Sequence, residues 1–382
     1  MADPPQRWPS FVGTKECLIW LGVSALLLAI GLMKSINLLA LVAYLSFAFQ
    51  FVNALLAWRM VRKVRATRRS PPPVFAGETA AILGAVENTS SGRAVLTLCE
   101  VGTTMPRSWF LPALPGGVTL PFTAPLDFDR RGNHPLPSVQ AVSAYPFGLI
   151  TWRRTVTGGE RAVVLPALGS LDLSKFRRWL QRLTAMGENQ RRVIRRAAPT
   201  EGDVRGVRPY RPGDSPRDVH WKTSARRGSL VVREYDRTAP TELLLLVEPW
   251  MPPGPIDRTS EANLEWVLSL AVSIAWAWVN ADSPGGVTLV LGGASWNSVA
   301  GPGTPAFVRT GFVALADCRG VSAIPPIPGT VLRGASRAAR VVLSTRANSP
   351  VPAQLQALGA GVAFAEPGTA LPWYTPPVAR HA

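Results

Sequence analysis

Two long apolar runs stand near the start of this chain, and they constrain its fold more than anything after them. From Cys17 to Met33 the residues are almost wholly apolar, and from Leu38 to Trp58 only Gln50 and Asn53 are strongly polar. A hydrocarbon core of about 30 Å is crossed by roughly 20 helical residues, so each run is about long enough to span it. Lys34-Ser35-Ile36-Asn37 is too short to be a domain, which predicts an antiparallel hairpin over residues 17–58. A cleaved signal peptide would carry a small-residue cleavage pattern and no second span directly behind it, so a retained anchor is expected. Arg59, Arg62, Lys63, Arg65, Arg68 and Arg69 crowd the exit of the second run, against Lys34 alone in the turn. The positive-inside rule then puts residues 1–16 and the large C-terminal part in the cytoplasm. In a basic, proline-containing linker over 59–73, those cations are also expected to hold anionic membrane lipid, at about 1 kcal/mol each near the surface. Gln50 and Asn53 are three apart and can hydrogen-bond the first span.

Beyond the anchor, 36 prolines and 33 glycines argue against an all-helical protein and for short strands, turns and loops. The net charge of +17 favours phosphate or anionic headgroups as neighbours, and says nothing of fold. Cys17, Cys99 and Cys318 are far apart and form no C-x-x-C pair, which points to neither a disulfide framework nor a zinc site.

Residues 74–166 read as short strands with turn punctuation: Thr79–Val86, the turn Asn88-Thr89-Ser90-Ser91-Gly92, then Ala94–Val101. That spacing predicts a small antiparallel β-sandwich. Ser70-Pro71-Pro72-Pro73 is expected to act as a stiff spacer that lifts it off the membrane. Residues 241–382 alternate instead. Strands are predicted at Glu242–Glu248, Val287–Leu291, Arg340–Ser344 and Val362–Ala365, with helices at Leu264–Val279, Phe307–Ala316 and Pro352–Leu358. Such alternation gives a parallel sheet flanked by helices. Trp266 and Trp276 on the long helix are expected to be core or interface anchors.

Between them, in the basic segment 167–240, lies Gly206-Val207-Arg208-Pro209-Tyr210-Arg211-Pro212-Gly213-Asp214-Ser215-Pro216-Arg217-Asp218-Val219-His220-Trp221-Lys222-Thr223-Ser224-Ala225-Arg226-Arg227. Aromatic, basic and acidic residues are interleaved there without helical or strand period. The stretch resembles the signature of the domain of unknown function 58 family, with Arg208, Tyr210, Gly213, Asp214, Arg217, Trp221, Ser224 and Arg226 in register. Phe128–His134 and Tyr145-Pro146-Phe147-Gly148-Leu149 resemble a second pairing in that family, read here as a packed turn. The resemblance implies that residues 241–382 form a von Willebrand factor A-like α/β domain. It also implies partners: MoxR-type AAA+ ATPases and other von Willebrand factor A-like proteins, at a bacterial inner membrane.

Von Willebrand factor A-like domains often hold magnesium on a D-x-S-x-S loop after the first strand. Here that position reads Glu248-Pro249-Trp250-Met251-Pro252, with one carboxylate and no hydroxyl, so no metal and no cofactor is expected. No G-x-x-x-x-G-K-[ST] loop is present, so nucleotide hydrolysis would fall to a partner.

The signature itself admits three roles. The structural one has Asp214 accepting from Arg217 or Arg226, Gly213 supplying a positive φ, and a loop and short helix locking Ser229–Glu234 onto the next domain. A catalytic one would make Asp214 or His220 a base and Ser224 a nucleophile, but no G-x-S-x-G elbow surrounds Ser224. A third uses the excess of cations over 175–237, including Arg191, Arg192, Arg195 and Arg196, to hold nucleic acid or anionic lipid, with Tyr210 or Trp221 stacking on bases. Asp203, Asp214, Asp218, Glu234 and Asp236 are interspersed where a nucleic-acid groove would avoid them. The favoured expectation is a membrane-anchored protein-interaction scaffold.

Overall fold

The structure is a computed structural model that describes residues 9–103, 106–194, 204–211, 214, 216, 219–235, 242–281, 285–329, 338–357 and 362–377. It divides into two compact units, residues 1–165 and 166–382.

The first unit opens with β1 (Ser10–Gly13), then α1 (Lys15–Met33) and α2 (Asn37–Arg62). Ten strands follow: β2 (Val64–Arg68), β3 (Val74–Phe75), β4 (Thr79–Asn88), β5 (Ala94–Val101), β6 (Ser108–Leu114), β7 (Thr119–Asp127), β8 (Gly132–Pro135), β9 (Ser138–Ser143), β10 (Ile150–Thr157) and β11 (Arg161–Leu165). Their sheets run β1-β10-β9-β5-β6, β2-β4-β7 and β3-β11-β8.

Both N-terminal helices are long and apolar enough to cross a membrane, and only 17% of each apolar window is buried by protein. Thr14 starts α1 by accepting from the Cys17 amide through its hydroxyl. At the turn a Cβ on Gly31 would stand 2.8 Å from the Ala40 amide nitrogen, so only glycine lets the chains come this close. Ser24 and Ser46 share a hydrogen bond of 2.6 Å across the hairpin, and the Gln50 amide donates to Ser24 at 3.1 Å. Gln50 thus does reach the first span, whereas neither side-chain atom of the buried Asn53 finds a partner.

The expected linker over 59–73 is not a linker at its start. α2 runs on to Arg62, and β2 begins two residues later as an edge of the β2-β4-β7 sheet. The physical reason is burial: Val61 and Val64 are fully covered and join Leu96, Leu98, Leu114 and Val139 in the sandwich core. Fully burying one such side chain contributes about 1.5–3 kcal/mol, which no solvated tether would gain. Ahead of α1, β1 pairs antiparallel with β10 from Ser10 opposite Arg153 to Gly13 opposite Ile150. Within the expected lipid-binding set, Arg59, Arg62, Lys63, Arg65 and Arg69 are exposed, but Arg68 is buried and paired with Glu160 at 2.9 Å.

The second unit comprises β12 (Ser170–Leu171), α3 (Leu173–Ile194), β13 (Val204–Pro209), α4 (Trp221–Arg227), β14 (Val231–Tyr235), β15 (Leu243–Glu248), α5 (Arg258–Val279), β16 (Val287–Leu291), β17 (Asn297–Gly301), α6 (Pro305–Gly311), β18 (Ala339–Ser344), α7 (Val351–Ala357), β19 (Ala363–Ala365) and β20 (Tyr374–Thr375). Its main sheet runs β17-β16-β15-β18-β19, parallel except for the edge strand β17. β15 is central and every one of its residues is buried, as its unbroken apolar run requires of a strand covered on both faces. Asp257 caps α5 by accepting from the Ser260 amide at 3.0 Å. α5 is also long and apolar enough to cross a membrane, but 67% of its window is buried within the protein. A helix covered to that degree is a core element.

The helix expected over Phe307–Ala316 starts two residues earlier, ends at Gly311 and continues as a 3-10 turn over Val313–Leu315. Trp266 is half-buried and meets Tyr374 edge-on at 6.1 Å, and Trp276 is half-buried beneath the Arg309 guanidinium at 5.1 Å. The most deeply buried tryptophan at this end is Trp373, packed against Phe176 at 4.9 Å and Trp179 at 5.0 Å.

Candidate functional site

The signature folds as a hairpin with a short helix laid against it. β13 and β14 pair antiparallel, with Arg208 opposite Val232 and Pro209 opposite Val231, and the ladder continues as the Tyr210 amide donates to the Leu230 carbonyl at 3.0 Å. On the other edge of β14, Val219 bridges Val232 and the His220 amide donates to the Val231 carbonyl at 2.8 Å. The chain then turns into α4, whose start is capped by His220: its Nδ1 accepts from the Thr223 amide at 3.1 Å. Gly228 ends the helix in the left-handed region at φ 65°, where a side chain would be strained.

Ser224 fastens that helix to the strand. Its hydroxyl accepts from the Val231 amide at 2.9 Å and donates to the His220 carbonyl at 3.1 Å, and it is buried. A nucleophile needs its hydroxyl facing a base and open to substrate. Ser224 instead faces two backbone groups, and the His220 ring nitrogen that could have served it is bonded to Thr223.

Among the described residues Asp214 is held by Arg208 and not by the expected Arg226, and the expected Arg217 lies outside them. The two side chains form a bidentate pair, Nη1 to Oδ2 at 2.7 Å and Nη2 to Oδ1 at 2.8 Å, and the Arg211 amide donates to Oδ2 at 2.8 Å. These hydrogen bonds, Arg208 first, pull the Asp214 carboxyl down from 3.8 to about 2. A carboxylate so stabilised is a poor base and a good tie between the loop and β13. Arg226 is exposed on α4, while Gly213 and Arg217 lie outside the described residues, as do Arg195, Arg196, Asp203, Asp218 and Asp236.

The remaining signature aromatics point the other way. Tyr210 is 37% exposed and Trp221 is 66% exposed. The ladder places Tyr210 beside Leu230, which is itself 47% exposed, and Trp221 opens α4 two residues after the Val219 bridge. Arg211, Lys222, Arg226 and Arg227 are all exposed in the same segment. Leu230 was not among the expected site residues, and its sequence signal was faint: one large apolar side chain just after the Gly228 that stops the helix.

A second polar cluster sits where the strand order of the main sheet reverses, between the ends of β15 and β18. Glu248 is 1% exposed there, and both its oxygens are engaged: Oε2 accepts from the Ser344 hydroxyl at 2.7 Å and Oε1 from Arg346 at 2.6 Å. The Arg346 guanidinium also lies over the Trp250 ring at 5.0 Å. The buried carboxylate is therefore matched by a tethered cation and a hydroxyl. Ser344-Thr345-Arg346 directly after an apolar strand was the available signal for these partners.

Residues 206–293 match the family described as Protein of unknown function DUF58. The chain carries a DUF58 segment. That segment takes in the hairpin and α4 from Gly206 onward, then β15, α5 and β16. No curated protein matches the sequence. Among solved structures, the crystal structure of beta-glucosidase from Listeria innocua in complex with gluconolactone is similar over 26% of this chain and 16% of that chain, at 14% identity and a TM-score of 0.16. A likeness at that score carries no argument about fold or activity.

Proposed function

We propose that the DUF58 segment is a protein-docking face, and that the chain is a scaffold held at a bacterial inner membrane with its large parts in the cytoplasm. The observation that carries this reading is the exposure of Trp221 at 66%, on a helix that Ser224 fixes to β14. A tryptophan displayed on a rigid element, in one segment with exposed Tyr210 and several arginines, has the composition of a binding hot spot, where tryptophan, tyrosine and arginine dominate. The strand order of the main sheet, with its first strand central and an antiparallel edge strand, supports a von Willebrand factor A-like reading of residues 241–382.

The family resemblance supplies the partner: a MoxR-type AAA+ ATPase or another von Willebrand factor A-like protein, in the assembly or remodelling of a complex. The test is a pull-down from detergent-solubilised membranes with the full chain as bait and mass spectrometry as readout. Recovery of an AAA+ ATPase that Trp221→Ala abolishes supports the reading; equal recovery with Trp221→Ala removes the docking role from this face. Exposed Lys175, Arg177, Arg178 and Arg182 on α3 favour a second reading, binding of nucleic acid or anionic lipid through the basic segment. Binding of that kind falls steeply with rising salt, and charge reversal at those four positions abolishes it.

A further inference from the structure

The membrane hairpin and the sandwich meet at a groove that no role above uses. Its walls are Trp20 on α1, Val42, Leu45, Ser46 and Phe49 on α2, and Phe147 and Leu149 from the loop between β9 and β10, around a cavity of about 490 Å³. Phe147 leans on Phe49 at a ring separation of 4.4 Å yet stays 56% exposed. The loop is tied down beside it, since the Thr14 hydroxyl donates to the Leu149 carbonyl at 2.7 Å and Leu149 and Ile150 pack on Cys17.

The depth of this groove follows from the hairpin's own register. Ser24 stands opposite Ser46, so Lys15 is level with Leu55. From Asn37 to Leu55, α2 rises about 27 Å at 1.5 Å per residue, close to the hydrocarbon thickness. The membrane boundary on this side therefore lies near Lys15 and Leu55, and Phe49 lies about 9 Å inside it at the same rise. A loop of the sandwich thus overhangs a groove that opens within the apolar slab. Just outside the boundary are the exposed cations Arg59, Arg62, Lys63 and Arg65, with Lys15 at its edge and Glu16 as the opposing charge.

Helix partners in membranes meet through small residues. Here the small and polar residues Ser24, Gly31, Ala43, Asn53 and Ala57 are already buried by the hairpin and sandwich, and large side chains line the groove. A cavity of this size suits a single ligand chain. We propose that it holds one acyl chain of an anionic phospholipid, with the headgroup level with Lys15 and Arg59.

The test uses the full chain in phosphatidylcholine vesicles that contain a trace of phosphatidylglycerol bearing a photoreactive diazirine at mid-chain. After irradiation, adducts should be several-fold denser on Val42, Leu45, Phe49, Phe147 and Leu149 than on the outward-facing Leu26 and Leu38. Val42→Trp and, independently, Leu45→Trp fill the groove and should remove that excess, while Leu26→Trp should keep it. Even labelling of all lipid-facing residues, or an excess that survives both filling variants, overturns the site. An equal excess with a phosphatidylcholine probe overturns the headgroup assignment, and cross-links between two copies through these residues put a second chain in the groove and overturn the lipid.

Discussion

Ser224→Ala separates a structural from a chemical reading of the signature. The substitution removes the acceptor of the Val231 amide and leaves that donor in a strand position where Val231 is 2% exposed. Leaving a buried backbone donor unsatisfied costs about 1–3 kcal/mol. The lost donation to the His220 carbonyl adds little, because that oxygen also accepts from the Ser224 and Thr223 amides. The opening equilibrium of the α4–β14 contact should therefore rise by about 5- to 140-fold, since about 1.4 kcal/mol is a factor of ten. Hydrogen exchange on the full chain in detergent reads this directly: peptides covering residues 219–235 should exchange faster by that factor, and peptides from the sandwich should not change. Any hydrolytic activity should be insensitive to the substitution beyond this loosening. Unchanged exchange at 219–235 would refute the clamp, and abolished activity with unchanged exchange would return Ser224 to a catalytic role.

The pairing of Asp214 sets a pH dependence of definite sign. Its folded pKa, about 2, is below the ordinary 3.8, so its contribution is present above about 3.8 and is lost as pH falls toward about 2. Exchange protection of the β13–β14 hairpin should hold from pH 7 to pH 5, fall between pH 4 and pH 2, and lose that step in Asp214→Asn. Glu248→Ala leaves Arg346 without its anion and should destabilise the second unit by about 3 kcal/mol, read as a lower thermal midpoint; replacing Glu248 and Arg346 together by Met should recover part of the loss. Gln50→Leu removes the bond to Ser24 and should cost the hairpin only about 0.6 kcal/mol, so hairpin stability in detergent should barely change. Gly31→Leu should prevent the hairpin from closing, because its Cβ would overlap backbone at Ala40, and a fully stable variant would show that the turn is looser than drawn.

The sequence spoke most clearly where one physical effect dominates. The two apolar runs became α1 and α2, long and apolar enough to cross a membrane, and the run of four leucines became the fully buried central strand β15. An unbroken apolar stretch leaves few alternatives in either setting. It spoke less clearly where a residue's neighbour is set by strand register. Asp214 is paired with Arg208, six positions earlier on β13, and not with Arg226 on α4. Arg346 reached Glu248 across a gap of 98 positions, which only the parallel pairing of β15 with β18 closes. The exposed pair of Tyr210 and Leu230 needed the β13–β14 register.

The place of Ser70-Pro71-Pro72-Pro73 in the fold bears on how the hairpin is joined to the sheets. Ser70-Pro71-Pro72-Pro73 does stand outside any strand, and proline there suits a chain held extended. By that point, however, β2 is already paired with β4 from Val64 opposite Asn88 to Arg68 opposite Gly84. The prolines connect β2 to β3, two strands of the first unit, and do not follow directly on the helical hairpin. The actual junction is α2 itself, whose Ala57 and Val61 are fully buried while Phe51 and Leu55, a turn or two earlier, are exposed. A continuous helix has no hinge residue at such a junction, and Arg154 reinforces it by donating to the Arg62 carbonyl at the helix end. Hairpin and sandwich are therefore coupled through a packed core, so a push on the hairpin helices must either move the sandwich with them or break the contacts of Val61 with that core.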